Sequence, residues 1–353
     1  MQKSKSLQFQ DQSFFIGSDV HANNWKITIR NNGMHLKQFS MNSSPRELYN
    51  YMHKNYPGGT YFSVYEAGFC GYWIHRELTN LGFHNIIVNP SDVPTKHKEK
   101  DQRRDKIDSN KLSRELNNGS LEGIYIPTKE QEALRCFSRL WYQLTKRNTQ
   151  IKNRIKAFLY YHGIELPRNC EILHWTGRFI AYLNSIHFEN EMNNIVLKEH
   201  LKEFEHIRLK RLHYLTKMRE YGRQQPIIKL LRTVPGIGII TSFVLYAELM
   251  DINRFPNEDC LASFVGLVPS VESSNDKDTI KGITARHCRY LRYLLVEASW
   301  QAVRVDPALT NTFNQHIRRM KKNRAIIRIA KKLLKRIRSV WINKKAYVLS
   351  TVQ

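Results

Sequence analysis

SFFIGSDVHANNWKITIRNNGMHLKQFS, residues 13–40, consists of three runs rich in β-branched and aromatic residues, separated by two short breaks of Asn, His and Gly. Ser13 to Val20 and Trp25 to Arg30 read as strands, and Asn31-Asn32-Gly33 is a turn that leads into a third, Met34 to Ser40. The three form an antiparallel hairpin series. Working outward, a helical stretch from Ser44 to Lys54 precedes an apolar strand from Tyr61 to Tyr65. A helix near Tyr72 to Leu81 then precedes a strand from His84 to Asn89, giving the order β-β-β-α-β-α-β. A polar, charge-dense loop, Ser91 to Arg104, follows. Beyond it lies a helix whose apolar residues Ile107, Leu112 and Leu116 recur at helical intervals.

From Thr128 to about Arg232 strand signals give way to Leu, Lys, Arg and Glu. Two long helices fit this stretch. Leu134, Phe137, Leu140, Leu144, Ile151 and Ile155 mark a stripe on the first, and Leu197, Leu201, Phe204, Leu212 and Leu215 mark one on the second. Pro167 and the segment around Trp175 interrupt them, so the region reads either as a helical hairpin or coiled-coil arm or as a plain helical bundle. From Gln225 onward the chain reads as a further helical domain with one loop, Pro269 to Gly282. The expected divisions are therefore 1–125, 126–225 and 226–353. At 353 residues the chain exceeds the size at which one core stops growing.

Lys and Arg number 56 against 31 Asp and Glu, a formal net charge of +25. An excess of that size implies a polyanionic partner, because each phosphate neutralised releases counterions. The last helix sets Ile326, Ala330, Leu333, Ile337 and Val340 on one side, and His316 to Lys345 contains no acid at all. Arg318, Arg319, Lys321 and Lys322 are its candidate phosphate contacts. The five cysteines are odd in number and never fall in a Cys-x-x-Cys pair, so reduced thiols and a cytoplasmic protein are expected. The apolar run from Gly236 to Met250 is too short to span a bilayer and carries Glu248, so no membrane partner is expected.

Four acids stand out as chemistry. Asp19 ends the first strand, Glu66 ends the fourth, and Asp105 and Asp108 share a helix face at i and i+3. Acids at corresponding ends of adjacent strands would meet at one sheet edge. Carboxylates gathered there repel unless cations neutralise them. Hard oxygen donors suit Mg²⁺ or Mn²⁺, and two such ions stabilise both oxygens of a phosphoryl transfer. Singly, each acid has a plainer role: Asp105 and Asp108 at a helix start, Asp19 capping a turn.

Asp19 in IGSDVHANNWKI, Glu66 in YEAG and the pair in RRDKIDSNKL together resemble the RNase H-like, RuvC-type DEDD domain of insertion-sequence transposases of the IS110 group, relatives of the Piv invertases. Ser109 stands where that family commonly has Ala. Further on, Pro235-Gly236-Ile237-Gly238 resembles a helix-hairpin-helix turn, whose Gly236 and Gly238 would let backbone N–H groups approach a phosphate. The segment from Arg254 to Ala298 is similar to the family's C-terminal transposase domain, in which G-L-x-P-R precedes a nucleophilic serine. Aligning Gly266-Leu267-Val268-Pro269 places that serine at Ser274, with Ser273 one step away. Ser270 replaces the usual Arg and Asn275 the usual Gly. Arg286, Arg289 and Arg292 follow as candidate nucleic-acid contacts.

The resemblance implies an α/β RNase H-like N-terminal domain, a long helical or coiled-coil region and a mainly α C-terminal domain. It implies a DNA transposase or recombinase that cleaves and rejoins double-stranded DNA with carboxylate-bound Mg²⁺ or Mn²⁺ and a serine nucleophile in a composite site. A structured guide RNA and a homo-oligomer, dimer or tetramer, are the partners it implies, in the bacterial cytoplasm or nucleoid. Two other readings stay open: a metal-dependent junction nuclease using water, and a catalytically silent nucleic-acid-binding protein.

Overall fold

A computed structural model of the chain describes residues 8–94, 105–167, 174–274, 277–284 and 288–349; of residues 105–107 and 270–283 it describes the backbone only. The chain forms two compact units, residues 1–126 and 127–353.

The first unit is a five-stranded mixed sheet with helices on both faces. Its elements are β1 (Ser13–Val20), β2 (Asn24–Asn31), β3 (Met34–Asn42), α1 (Pro45–Asn55), β4 (Thr60–Glu66), α2 (Trp73–Asn80), β5 (His84–Val88) and α3 (Asp105–Asn117). The strand order is β3-β2-β1-β4-β5. β1 pairs antiparallel with β2 and parallel with β4, and β4 pairs parallel with β5. The β2–β3 turn needs two residues of positive φ, and Asn32 (φ 45°) and Gly33 (φ 82°), residue types that tolerate it, supply them. Ser44 caps α1 by accepting from the Glu47 amide, with Pro45 at the first helical position.

Strand side chains alternate, so β1 divides its residues between two layers. Phe14 and Ile16 join Trp25, Ile27, Leu48, Met52, Ile74 and Leu78 in a core beneath α1 and α2. Gly17 lies on the other face, where a Cβ would fall 2.2 Å from the Ser109 carbonyl oxygen and 2.4 Å from the Ser113 nitrogen. The backbone of α3 therefore rests directly on β1. Leu112 completes this layer with Val64, Val88 and Val93. Ser109 is fully buried at the crossing, its hydroxyl 3.0 Å from that of Thr28 and accepting from Gln38 at 3.3 Å. A buried hydroxyl needs such partners, and Thr28 and Gln38 supply them.

Among its described residues the second unit is helical apart from one hairpin: α4 (Lys129–Tyr161), α5 (Gly177–Ser185), α6 (Glu191–Gln224), α7 (Pro226–Leu231), α8 (Ile239–Leu249), α9 (Glu258–Val265), β6 (Pro269–Ser274), β7 (Lys277–Ile283), α10 (Arg289–Val305), α11 (Pro307–Ile317) and α12 (Lys322–Asn343). The stretch expected as a loop is thus a β-hairpin. β-Branched Val271, Thr279, Ile280 and Ile283 supply strand propensity that the surrounding Ser, Asp and Lys mask. α4 starts at a capping box formed by Thr128 and Gln131. Its stripe serves two cores. Trp141 packs with the C-terminal helices, whereas Ile151, Ile155 and Leu159 pack with Leu183, Leu197, Leu201 and Phe204 of α5 and α6. Leu140 and Leu212, expected in the stripes, are instead exposed. All five apolar residues expected on α12 are buried.

α8 is almost wholly buried, and so is its Glu248 (0% exposed). Arg135 Nε (2.9 Å), Arg139 Nε (2.7 Å) and Arg139 Nη2 (3.1 Å) donate to that carboxylate, tying α4 to α8. No helix among the described residues is long and apolar enough to cross a membrane.

Candidate functional site

The face of the first sheet that carries α3 gathers the acids. Glu66 follows Val64 by two residues on β4, and Asp19 follows Gly17 by two on β1, so both project on the α3 side. The parallel β1/β4 register pairs Ser18 with Tyr65, which puts Asp19 and Glu66 at the same strand ends. Asp108 enters from the first turn of α3, one residue before the Ser109 crossing. Asp105 opens that helix, and its side chain lies outside the described residues.

Glu66 records this company in its acidity. Its carboxyl is pushed above the ordinary value chiefly by burial, with Asp108 and Asp19 pushing the same way and Lys111 opposing. Lys111 was not among the residues singled out by sequence. One turn beyond Asp108, it is buried (8% exposed), with Nζ 3.6 Å from Glu66 Oε1 and 3.4 Å from Asp108 Oδ1. The i,i+3 spacing from Asp108 was the signal available. At the other end of the cluster His21 Nε2 lies 3.2 Å from Asp19 Oδ2.

Among the described residues no three His, Cys, Asp or Glu side chains lie close enough together to hold one ion. The donor set nevertheless suits a hard divalent cation. It consists of carboxylates from two strands and one helix, partly desolvated, with an ammonium standing in for positive charge between two of them.

In the second unit, Ser274 is the last residue of β6, opposite Lys277, and Ser273 is opposite Asp278. Ser270 falls where the ladder is irregular, between Pro269 and Val271. Asn275 and Arg286 lie outside the described residues. Gly266, in the left-handed region at φ 83°, ends α9 and turns the chain into the hairpin. Arg292 Nη1 donates to the carbonyls of Gly266 (3.3 Å) and Thr284 (3.2 Å), so this candidate phosphate contact clamps the hairpin base. Arg289 is exposed at the start of α10.

The two candidate glycines of the α7–α8 turn differ. Gly236 (φ 80°) is needed for packing, since a Cβ there would fall 2.2 Å from the Ala298 carbonyl oxygen of α10. Gly238 precedes α8 at φ −83°, and its Cβ would meet nothing within 4 Å. Beside both runs an open groove of about 650 Å³ lined by Arg232, Thr233, Val305 and Tyr347 among others.

The basic helix also divides. Lys331 pairs with Asp259 (2.7 Å), Lys335 with Glu258 (3.0 Å) and Arg336 with buried Asp306 (2.6 Å). Acids distant in sequence thus neutralise the middle of a run that contains none itself. Arg318, Arg319, Lys321 and Lys322 are exposed and form no ion pair with a described residue.

Residues 228–314, from α7 into α11, match the Transposase IS116/IS110/IS902 family. A putative transposase y4qE of Sinorhizobium fredii is 28% identical over 241 residues, 68% of this chain and 58% of that protein. The transposase for insertion sequence element IS1533 of Leptospira borgpetersenii is 25% identical over 81% of this chain and 84% of its own length. That for insertion sequence element IS1111A of Coxiella burnetii is 24% identical over 67% of this chain and 64% of its own.

Proposed function

We propose, from the premise that the chain carries the transposase domain of the IS116/IS110/IS902 family, that it is a DNA transposase acting by metal-dependent phosphoryl transfer. The observation that carries this reading is the convergence of Asp19, Glu66 and Asp108 on one sheet edge in a chain with that domain. The strand order β3-β2-β1-β4-β5, with α3 crossing β1, supports an RNase H-like, RuvC-type identity for the first unit.

In this reading Asp19, Glu66, Asp105 and Asp108 hold Mg²⁺ or Mn²⁺. Held there, Mg²⁺ or Mn²⁺ would supply charge stabilisation for the phosphoryl transfer. Asp19 and Glu66, at the ends of adjacent strands, provide rigid donors, while Asp108 is set in depth by the contact of α3 with Gly17. Ser274, at the tip of a hairpin whose base Arg292 clamps, is the nucleophile. Its Oγ forms a bond to phosphorus as the scissile P–O bond breaks. The proton leaves the serine and the departing sugar oxygen takes one up. Arg289 and the Arg318–Lys322 cluster bind the phosphate backbone of double-stranded DNA. A structured guide RNA, recognised by shape and backbone, fits a charge of +25 spread over a chain with no base-reading module. The active form is a homo-oligomer.

The test is cleavage of a labelled element-end substrate in Mg²⁺ by Asp19→Asn, Glu66→Gln, Asp105→Asn and Asp108→Asn. Each variant is expected to lose cleavage and keep binding. Two or more that cleave normally would overturn the four-acid site.

A further inference from the structure

We infer that Lys111 is a positioning residue that neutralises Glu66 and Asp108 when no divalent cation is bound and is exchanged for the cation when one arrives. The inference rests on the metal-dependent reading above and adds to it a competitor built into the chain.

The geometry supports exchange over a permanent ion pair. Lys111 reaches acids from two separate elements, Glu66 on β4 and Asp108 on α3, and both belong to the candidate metal set. Its separations of 3.6 and 3.4 Å exceed the 2.7–2.9 Å typical of a tight charge-assisted hydrogen bond. The ammonium is shared between the carboxylates, donating a long hydrogen bond to Asp108 Oδ1 and lying within ion-pair distance of Glu66 Oε1. Elsewhere in this chain exposed lysines approach a single carboxylate at 2.7 Å, as Lys202 does Glu199 and Lys331 does Asp259. Lysine suits exchange, being a compact point charge on a flexible four-carbon stem.

Electrostatics gives a reason for the arrangement. Without a counter-charge, partly buried carboxylates from facing elements repel and push α3 off the sheet edge. Gly17 leaves no side chain between helix and strand to absorb that push. A single ammonium holds the acids together until a cation of higher charge displaces it. An entering divalent ion then meets donors already assembled, at the cost of repulsion from the lysine it displaces.

Mn²⁺ binding to the full-length protein without nucleic acid, followed by electron paramagnetic resonance, tests this. Lys111→Gln should bind Mn²⁺ roughly tenfold more tightly than wild type, since a unit positive charge a few ångströms from the site is removed. Lys111→Arg, which keeps the charge, should stay near wild type. Glu66→Gln, run alongside, reports on the metal site itself and should weaken binding. Unchanged or weaker binding by Lys111→Gln, with Glu66→Gln weakened, would overturn the exchange and leave the metal site standing. Equal Mn²⁺ affinity in all four proteins would overturn both. If Lys111→Gln unfolds without metal, Mn²⁺ should restore its melting temperature. A variant still unfolded in saturating Mn²⁺ would show that the cation does not replace the ammonium.

Discussion

Replacing Gly236 by Ala separates the two roles a glycine can have in the α7–α8 turn. At φ 80° the residue occupies the left-handed region, which costs an L side chain about 1–2 kcal/mol. The added methyl would also sit 2.2 Å from the Ala298 carbonyl oxygen and 3.0 Å from the Ala302 nitrogen. Those are backbone atoms of a packed helix, so relief requires moving α10, an overpacking cost of about 1–3 kcal/mol. The sum is about 2–5 kcal/mol. For a unit of more than 200 residues that lowers the melting temperature by roughly 4–20 °C, at about 2–4 °C per kcal/mol. Gly238→Ala meets open space at an ordinary φ, and its cost as a helix cap is about 1 kcal/mol or less. Scanning calorimetry of both variants, paired with DNA binding measured well below either transition, reads the two effects separately. Gly236→Ala should lose stability and retain affinity once folded; Gly238→Ala should keep its stability and lose affinity if the turn's amides meet a phosphate. A Gly236→Ala protein melting within about 1 °C of wild type would refute the packing argument, because the clash is with backbone that has nowhere cheap to go.

Glu248→Gln should destabilise the protein by about 2–4 kcal/mol in urea denaturation, less than the about 3–5 kcal/mol of a fully buried pair because Arg139 is half exposed; an unchanged midpoint would mean the two arginines do not hold α4 to α8. Converting Arg318, Arg319, Lys321 and Lys322 to Ala should weaken DNA binding and flatten its log–log salt dependence by about three to four, at roughly 0.9 per phosphate. An unaltered slope would reassign this face to solubility. Ser274→Ala should abolish a covalent protein–DNA species seen by denaturing electrophoresis after incubation with Mg²⁺, while Ser273→Ala and Ser270→Ala keep it. Efficient cleavage by wild type with no adduct would favour water as the nucleophile.

The N-terminal sheet was legible because each strand carries its own signal. Ser13–Val20 is delimited by turn residues on its far side, and Asn31-Asn32-Gly33 is a turn on chemical grounds alone. The acids at strand ends followed from that strand order. Features made by distant residues were not legible. Lys111 reads as one lysine among many until α3 is laid on β1. The basic helix looks uncompensated until Glu258, Asp259 and Asp306 arrive from elsewhere. Pro269 to Gly282 reads as a loop because its polar residues obscure the alternation, and the hairpin's closure by Arg292 is a long-range event. Leu140 and Leu212 fit a period but not the handover of α4 between two cores.

The bare contact at Gly17 limits how this site can be tuned. Where side chains separate a helix from a sheet, evolution adjusts their spacing methyl by methyl. Here backbone meets backbone, so there is no shim to exchange, and any residue larger than glycine lifts α3 and carries Asp108 away from Asp19 and Glu66. The carboxylate spacing is thus set by main-chain geometry and open only to coarse steps. In the metal-dependent reading proposed above, changes in rate or metal preference would then come from residues around the acids, such as Lys111 and His21, and not from the distance between the elements that bear them.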